Sequence, residues 1–146
     1  MSEYLIKFLV FSTLLLGATA SRALAPFLSP LDEKRYCVLT KKVHINVVNA
    51  IPSSSLWLHI VKGNDDKGYR VLSTDEEFHF DFCYNPKDPD YVCTALWAGK
   101  TSTFYLFKYD QNICENDTCY FEARSDGIYC PDDSNHQQLK KIQGWS

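Results

Sequence analysis

Six cysteines, Cys37, Cys83, Cys93, Cys114, Cys119 and Cys130, are the most reactive side chains of this 146-residue chain. Thiols pair as disulfides, ligate zinc or act as nucleophiles, and spacing separates these uses. No C-x2-C occurs, and His44, His59, His79 and His136 are scattered, so the pattern supplies no zinc set and no metal ligands are assigned. A hydrolase triad needs a serine or cysteine, a histidine and a carboxylate in one cleft. Nothing here resembles a nucleophile elbow, so no catalytic residue and no cofactor is assigned. Asp65-Asp66 lacks the D-x-D-x-D-G spacing of a calcium loop, and two adjacent carboxylates offer too few oxygens. Asn64, Asp65 and Asp66 are expected to make local bonds to the backbone that shape a turn. Asn116-Asp-Thr118 is an N-glycosylation sequon in a polar stretch between two cysteines.

Disulfides therefore account best for the cysteines. Six thiols allow fifteen pairings, and sequence alone does not choose among them. Cys83–Cys93 across a hairpin, Cys114–Cys119 across a short turn and Cys37–Cys130 as an outer bridge form one expected set. A Cys93–Cys119 bridge between neighbouring strands is the competing reading.

The elements that must position these residues read as strands. Val43, Ile45 and Val47 take one face of a strand, and so do Leu56, Leu58 and Ile60; Phe78, Phe80 and Phe82 then alternate with His79 and Asp81. Tyr91–Trp97, Thr103–Tyr109, Cys119–Ala123 and Gly127–Cys130 continue the series. Short period-two runs bounded by Gly, Pro, Asn or Asp indicate half-buried strands. The expected fold is all-β, an antiparallel β-sandwich of about seven to eight short strands stapled by disulfides. Phe78, Phe80, Phe82, Trp97 and Phe104 are expected to fill the space between the sheets, whereas aromatics left on the surface would be able to stack on sugars. His44, His59 and His79 fall on the outward phase of their strands. Their outward placement marks either a solvated sheet face or a surface that responds to pH.

The first residues set the compartment. Lys7 precedes an apolar run, and Ala18-Thr-Ala20 supplies small residues before a cut at Ser21, the pattern of a secretory signal peptide. The expected organisation is a leader at 1–20, an N-terminal segment at 21–41, a sandwich domain at 42–130 and a flexible tail at 131–146 with Trp145 exposed. The chain carries a net charge of −3. Without a basic run, it lacks the electrostatic footprint of a nucleic-acid binder, and after the leader no second apolar stretch is long enough to span a membrane. The mature protein is expected to be soluble and extracellular, where disulfides persist.

In order and spacing these motifs resemble the plant self-incompatibility S-protein homologue family. The resemblance runs from about Lys42 to Cys130. It rests on the strand Val43-His-Ile-Asn46 followed by Val-Val-Asn49, on Leu56-Trp-Leu-His59, and on Lys62-Gly-Asn-Asp-Asp-Lys-Gly68-Tyr-Arg-Val-Leu72. Phe78-His-Phe80, Cys93-Thr-Ala-Leu-Trp97, an F-x-x-Y strand within Phe104–Tyr109, and Cys114, Cys119 and Gly127-Ile-Tyr-Cys130 complete it. Members commonly place a cysteine directly after the L-x-x-H histidine, where this chain has Ile60, while Cys37 and Cys83 look additional. The resemblance implies a small secreted sandwich without enzyme activity, related to proteins that act as ligands of a cell-surface receptor in pollen rejection.

Two function classes follow. The first is a secreted signalling or recognition protein read by a cell-surface receptor, with Gly63–Gly68 and Asp110–Thr118 as the contact loops. Asn64, Asp65, Asp66 and Lys67 in the first and Asp110, Gln111 and Asn112 in the second are the candidate residues, since loops on rigid scaffolds usually carry recognition. The second is a secreted carbohydrate-binding or defence module, which coplanar exposed aromatics on one sheet face would favour.

Overall fold

In the computed structural model, residues 37–108 and 114–146 are described. The leader, the segment 21–36 and the candidates Asp110, Gln111 and Asn112 lie outside them. Among the described residues the alternating runs become nine strands: β1 (Lys42–Asn49), β2 (Leu56–Lys62), β3 (Asp65–Leu72), β4 (Glu77–Cys83), β5 (Tyr91–Trp97), β6 (Lys100–Phe107), β7 (Thr118–Arg124), β8 (Gly127–Pro131) and β9 (Leu139–Gln143). They form a five-stranded sheet in the order β4-β1-β7-β8-β9 and a four-stranded sheet in the order β3-β2-β5-β6. The fold is all-β, as the alternation requires.

Each strand buries one phase of its side chains. Val43, Ile45 and Val47 of β1 face Leu56, Leu58 and Ile60 of β2 in the interior, and all six are essentially inaccessible to solvent. Phe104 of β6 packs on Phe121 of β7 across the sheets, ring centroids 5.4 Å apart. Burying each such side chain contributes about 1.5–3 kcal/mol. Phe80 is buried, whereas Phe78 and Phe82 are only partly covered, Phe82 lying against Tyr91 and Phe107 at the rim.

Asn49, at the end of β1, is fully buried and holds the opposite end together. Its amide donates to the carbonyls of Ser54 and Leu72, and its oxygen accepts from Ile51 N–H. A buried amide satisfied this completely ties β1, the β1–β2 connection and the end of β3 into one unit.

Four expectations need correction. One strand pair is parallel: β1 runs alongside β7, Ile45 opposite Cys119, because both strands start at the same end of the sandwich. The remaining pairs are antiparallel. The tail is not structureless, since β9 pairs with β8. Trp145 is half-buried; its indole N–H donates to Arg124 O at 2.8 Å, and its ring lies 5.5 Å from that of Trp97. The domain therefore does not stop at Cys130.

The cysteine pairing also differs. Cys114–Cys119 is formed, and Cys37 is bonded to Cys83 with Cα atoms 5.5 Å apart. A Cys83–Cys93 bridge is not formed because β4 and β5 belong to different sheets, so the loop between them crosses the sandwich instead of making a hairpin. Cys37–Cys130 fails because Cys83, Cys37's partner, ends β4, and β8 lies three strands away, at about 4.8 Å per strand. Cys93 and Cys130 remain free and buried, and the Cys93–Cys119 alternative is likewise not formed.

Candidate recognition surface

The β2–β3 hairpin turns on two residues, Gly63 and Asn64. Gly63 has φ +58°, a positive value at the first central position, which the tight two-residue turn type with glycine first requires. Asp65, Asp66 and Lys67 therefore belong to β3 and not to a six-residue turn. Ile60 lies opposite Gly68 and Val61 opposite Asp66, which leaves Lys67 as the extra residue of a β-bulge. Asp66 Oδ1 accepts from Gly68 N–H at 2.8 Å and lies 2.9 Å from His59 Nε2. The Gly68 N–H, and then His59, hold the Asp66 carboxyl below its usual range. Asp65 pairs with Lys67 at 2.6 Å. The expected local bonding of this segment is met at Asp66, with the carboxylates engaged by the chain itself.

The β4–β5 loop packs against this hairpin. Lys62 Nζ reaches Asp88 Oδ2 at 2.9 Å, and a Cβ on Gly63 would lie 2.6 Å from Pro89 Cγ. Asn85 closes the loop locally, its side chain accepting from Lys87 N–H and its carbonyl from Asp88 N–H. Tyr84 N–H donates to Lys41 O, so the chain entering β1 lies along the same loop, beside the Cys37–Cys83 bridge.

The third component is the Cys114–Cys119 hairpin. Glu115 and Thr118 exchange both backbone hydrogen bonds, and Asn116 and Asp117 between them have φ of 48° and 65°. Two successive positive φ values define the mirror-image turn that Asn and Asp tolerate best. The sequon asparagine thus stands exposed at a tight tip. Asp117 O accepts from His44 N–H at 2.8 Å, and its carboxylate pairs with Lys41, which ties the tip to the start of β1.

Gly63–Gly68, Tyr84–Asp90, Cys37–Lys41 and Cys114–Thr118 all lie at one end of the sandwich, because β2 and β4 finish there and β1, β5 and β7 begin there. Lysines and carboxylates mix across this end. Just inside it, Asp81 on β4 meets His44 Nδ1 at 2.5 Å and Lys42 Nζ at 3.3 Å. Burial acts to raise the Asp81 carboxyl, but the His44 and Lys42 hydrogen bonds outweigh it and hold the group below its usual range. Burial pushes both free thiols up, so Cys93 and Cys130 stay protonated and poorly nucleophilic. The end is equipped to present hydrogen-bonding groups on a fixed frame.

This frame is that of a known family. The model described as plant self-incompatibility protein S1 matches residues 44–145. The chain belongs to this family. Among curated proteins, S-protein homolog 5 of Arabidopsis thaliana is 30% identical over 86 residues, covering 57% of this chain and 66% of that protein, just under two thirds of its length. The family match runs past Cys130 and takes in β9 and Trp145, in line with the ordered tail. The family-like Lys62–Leu72 motif is the hairpin-plus-bulge at the loop end, and the L-x-x-H histidine is the partner of Asp66.

The outward face of the four-stranded sheet is a second feature. Val71, Trp57, Leu96 and Thr101 lie side by side across β3, β2, β5 and β6; the next row is Tyr69, His59, Thr94 and Thr103. A third row runs Asp66, Val61, Val92 and Tyr105. Trp57 is 50% exposed, Tyr69 48%, Val71 46% and Tyr105 44%. Tyr69 stacks on His59 with centroids 4.3 Å apart and planes 7° from parallel. Trp57 and Leu96 border an open cleft of about 340 Å³ whose far side is the β5–β6 turn with Lys100. The parity of β2 places Trp57 outward once Leu56 and Leu58 are inward. The joining of the β4–β5 loop to the hairpin through Lys62–Asp88 has no such signal, because the two residues are 26 positions apart.

Proposed function

We propose that this chain is a secreted, non-enzymatic recognition protein that acts as ligand of a plant cell-surface receptor and is related in role to the self-incompatibility proteins of its family. The observation that carries this reading is the convergence of four chain segments at one end of a rigid sandwich, tied by Lys62–Asp88, Lys41–Asp117 and two disulfides. A pre-ordered polar surface loses little entropy on binding, and this suits recognition. The leader pattern and the disulfides support secretion. Asn116, exposed at the tip, is proposed to carry a glycan there.

The test is binding of labelled oxidised residues 21–146 to intact plant cells. Saturable binding that unlabelled protein displaces, and that surface proteolysis of the cells abolishes, is expected. Binding that neither saturates nor responds to proteolysis contradicts a protein receptor.

A second reading, a secreted carbohydrate-binding or defence module, is favoured by Trp57, Tyr69 and Tyr105, which stand exposed on one sheet face.

A further inference from the structure

The two outer faces of the sandwich differ in charge. On the five-stranded sheet the outward positions include Glu77, His79, Asp81, Glu122 and Arg124, with Glu122 and Arg124 paired at 2.7 Å. On the four-stranded sheet the three outward rows hold a single formal charge, Asp66, and His59 is its partner. Lysines occur at the rim, Lys108 over the Tyr105 ring and Lys100 over that of Trp97. A soluble protein's surface normally intersperses charges of both signs. A face low in charge on which Trp57, Tyr69, Val71 and Tyr105 are each about half exposed is a candidate interaction surface.

We propose that this face is a binding platform for a neutral glycan chain, with Trp57 and its cleft as the principal subsite and Tyr69 and Tyr105 as flanking contacts. The proposal rests on the carbohydrate-binding reading and adds to it a ligand class and a place. Three properties select the occupant. First, the only formal charge within the three rows is Asp66, already matched to His59, while Lys100 and Lys108 stand at the rim over ring faces, so the centre of the face complements an uncharged chain. Second, by register Thr94, Thr101 and Thr103 lie with Leu96 and Val92 between Trp57 and Tyr105, and the Thr94 and Thr103 hydroxyls are 3.0 Å apart. A pyranose has an apolar C–H face that lies on a ring and equatorial hydroxyls that meet such donors and acceptors, so the alternation of ring and hydroxyl matches it. Third, the cleft beside Trp57, about 340 Å³, lies in the range of small-ligand sites and combines Trp57 and Leu96 with Ser55, Thr101 and Lys100.

The test is titration of the oxidised protein, followed by tryptophan fluorescence and calorimetry. The probes are neutral cello-, manno-, laminari- and xyloglucan oligosaccharides and, in parallel, anionic oligogalacturonides. At least one neutral series is expected to bind, with affinity about tenfold weaker in Trp57→Ala. Tyr105→Ala should give a smaller loss, Trp57→Phe should retain part of the affinity, and thermal unfolding should be unchanged in all three. Binding of oligogalacturonides alone, or neutral binding that survives Trp57→Ala, Tyr69→Ala and Tyr105→Ala, overturns the inference while leaving the carbohydrate-binding reading in place. Absence of binding by every probe overturns both. Sedimentation of the unliganded protein as a dimer that Trp57→Ala dissociates assigns the face to a second copy and overturns the inference as well.

Discussion

Ile60 of β2 stands directly opposite Cys93 of β5 in the four-stranded sheet, and both side chains are fully buried. Cys93 is left without a partner because its cross-strand neighbour is an aliphatic side chain and not a thiol. Opposed residues on antiparallel strands lie about 4.5–5.5 Å apart at Cα, within disulfide range. Ile60→Cys should bond to Cys93. Thiol titration under denaturing conditions should then count one free thiol, Cys130, where the parent has two, Cys93 and Cys130. Three free thiols in the variant would show that the pair cannot close.

The two disulfides are expected to differ in worth. Cys37–Cys83 closes a separation of 46 residues and Cys114–Cys119 one of 5. Chain-entropy estimates give about 4 and about 2 kcal/mol respectively. Cys37→Ser with Cys83→Ser should therefore lower the urea midpoint roughly twice as far as Cys114→Ser with Cys119→Ser. The reverse order would mean that the tip hairpin, not the entry to β1, holds the end together.

How much of this was legible depended on polarity and distance. β1, β2 and β5 carry apolar residues at every second position, and these inward sets mark them as strands in the sequence. β3 opens with Asp65-Asp66-Lys67-Gly68 and looked like a loop, yet it is an edge strand whose bulge absorbs Lys67. β9 carries Lys140 and Lys141, the residues that protect a sheet edge, and the same lysines made the tail look unstructured. Cys83 and Cys93 flank a loop equally compatible with a hairpin and a sheet crossing, and only the sheet order decides. The hairpin half of the loop end was visible in its glycines and carboxylates. The Tyr84–Asp90 half was not, because the Lys62–Asp88 and Gly63–Pro89 contacts are long-range.

That close approach gives a prediction. Gly63→Ala combines a positive φ with a Cβ 2.6 Å from Pro89, whereas Gly68→Ala, at φ +85°, meets nothing within 4 Å. Both should lose about 1–2 kcal/mol to backbone strain. Gly63→Ala alone should also shift the amide resonances of Lys87, Asp88 and Asp90. Equal and purely local shifts in the two variants would count against the packing of the two loops.

The Asp81 cluster sets a pH response. Its folded carboxyl titrates below the ordinary value of 3.8, so the unfolded chain takes up the proton first as pH falls. The stabilisation from His44 and Lys42 is thus complete above that value and is lost as pH drops through the lower folded one. Asp81→Asn should reduce the melting temperature at about pH 6 and converge on the parent near about pH 2. A difference that persists unchanged into strong acid would show that the carboxylate charge is not its source.

The loop end as contact surface is tested most directly by cell-surface binding of charge-reversed variants. Asp65→Lys and Lys87→Glu alter exposed residues at that end, and such substitutions usually cost less than about 0.5 kcal/mol. Tyr105→Ala on the sheet face serves as the comparison. Saturable binding to intact plant cells should fall about tenfold or more in the two loop variants and stay near the parent value in Tyr105→Ala, with all three unfolding at the parent temperature. Loop variants that bind like the parent, with binding lost only in Tyr105→Ala, would contradict a loop-end ligand.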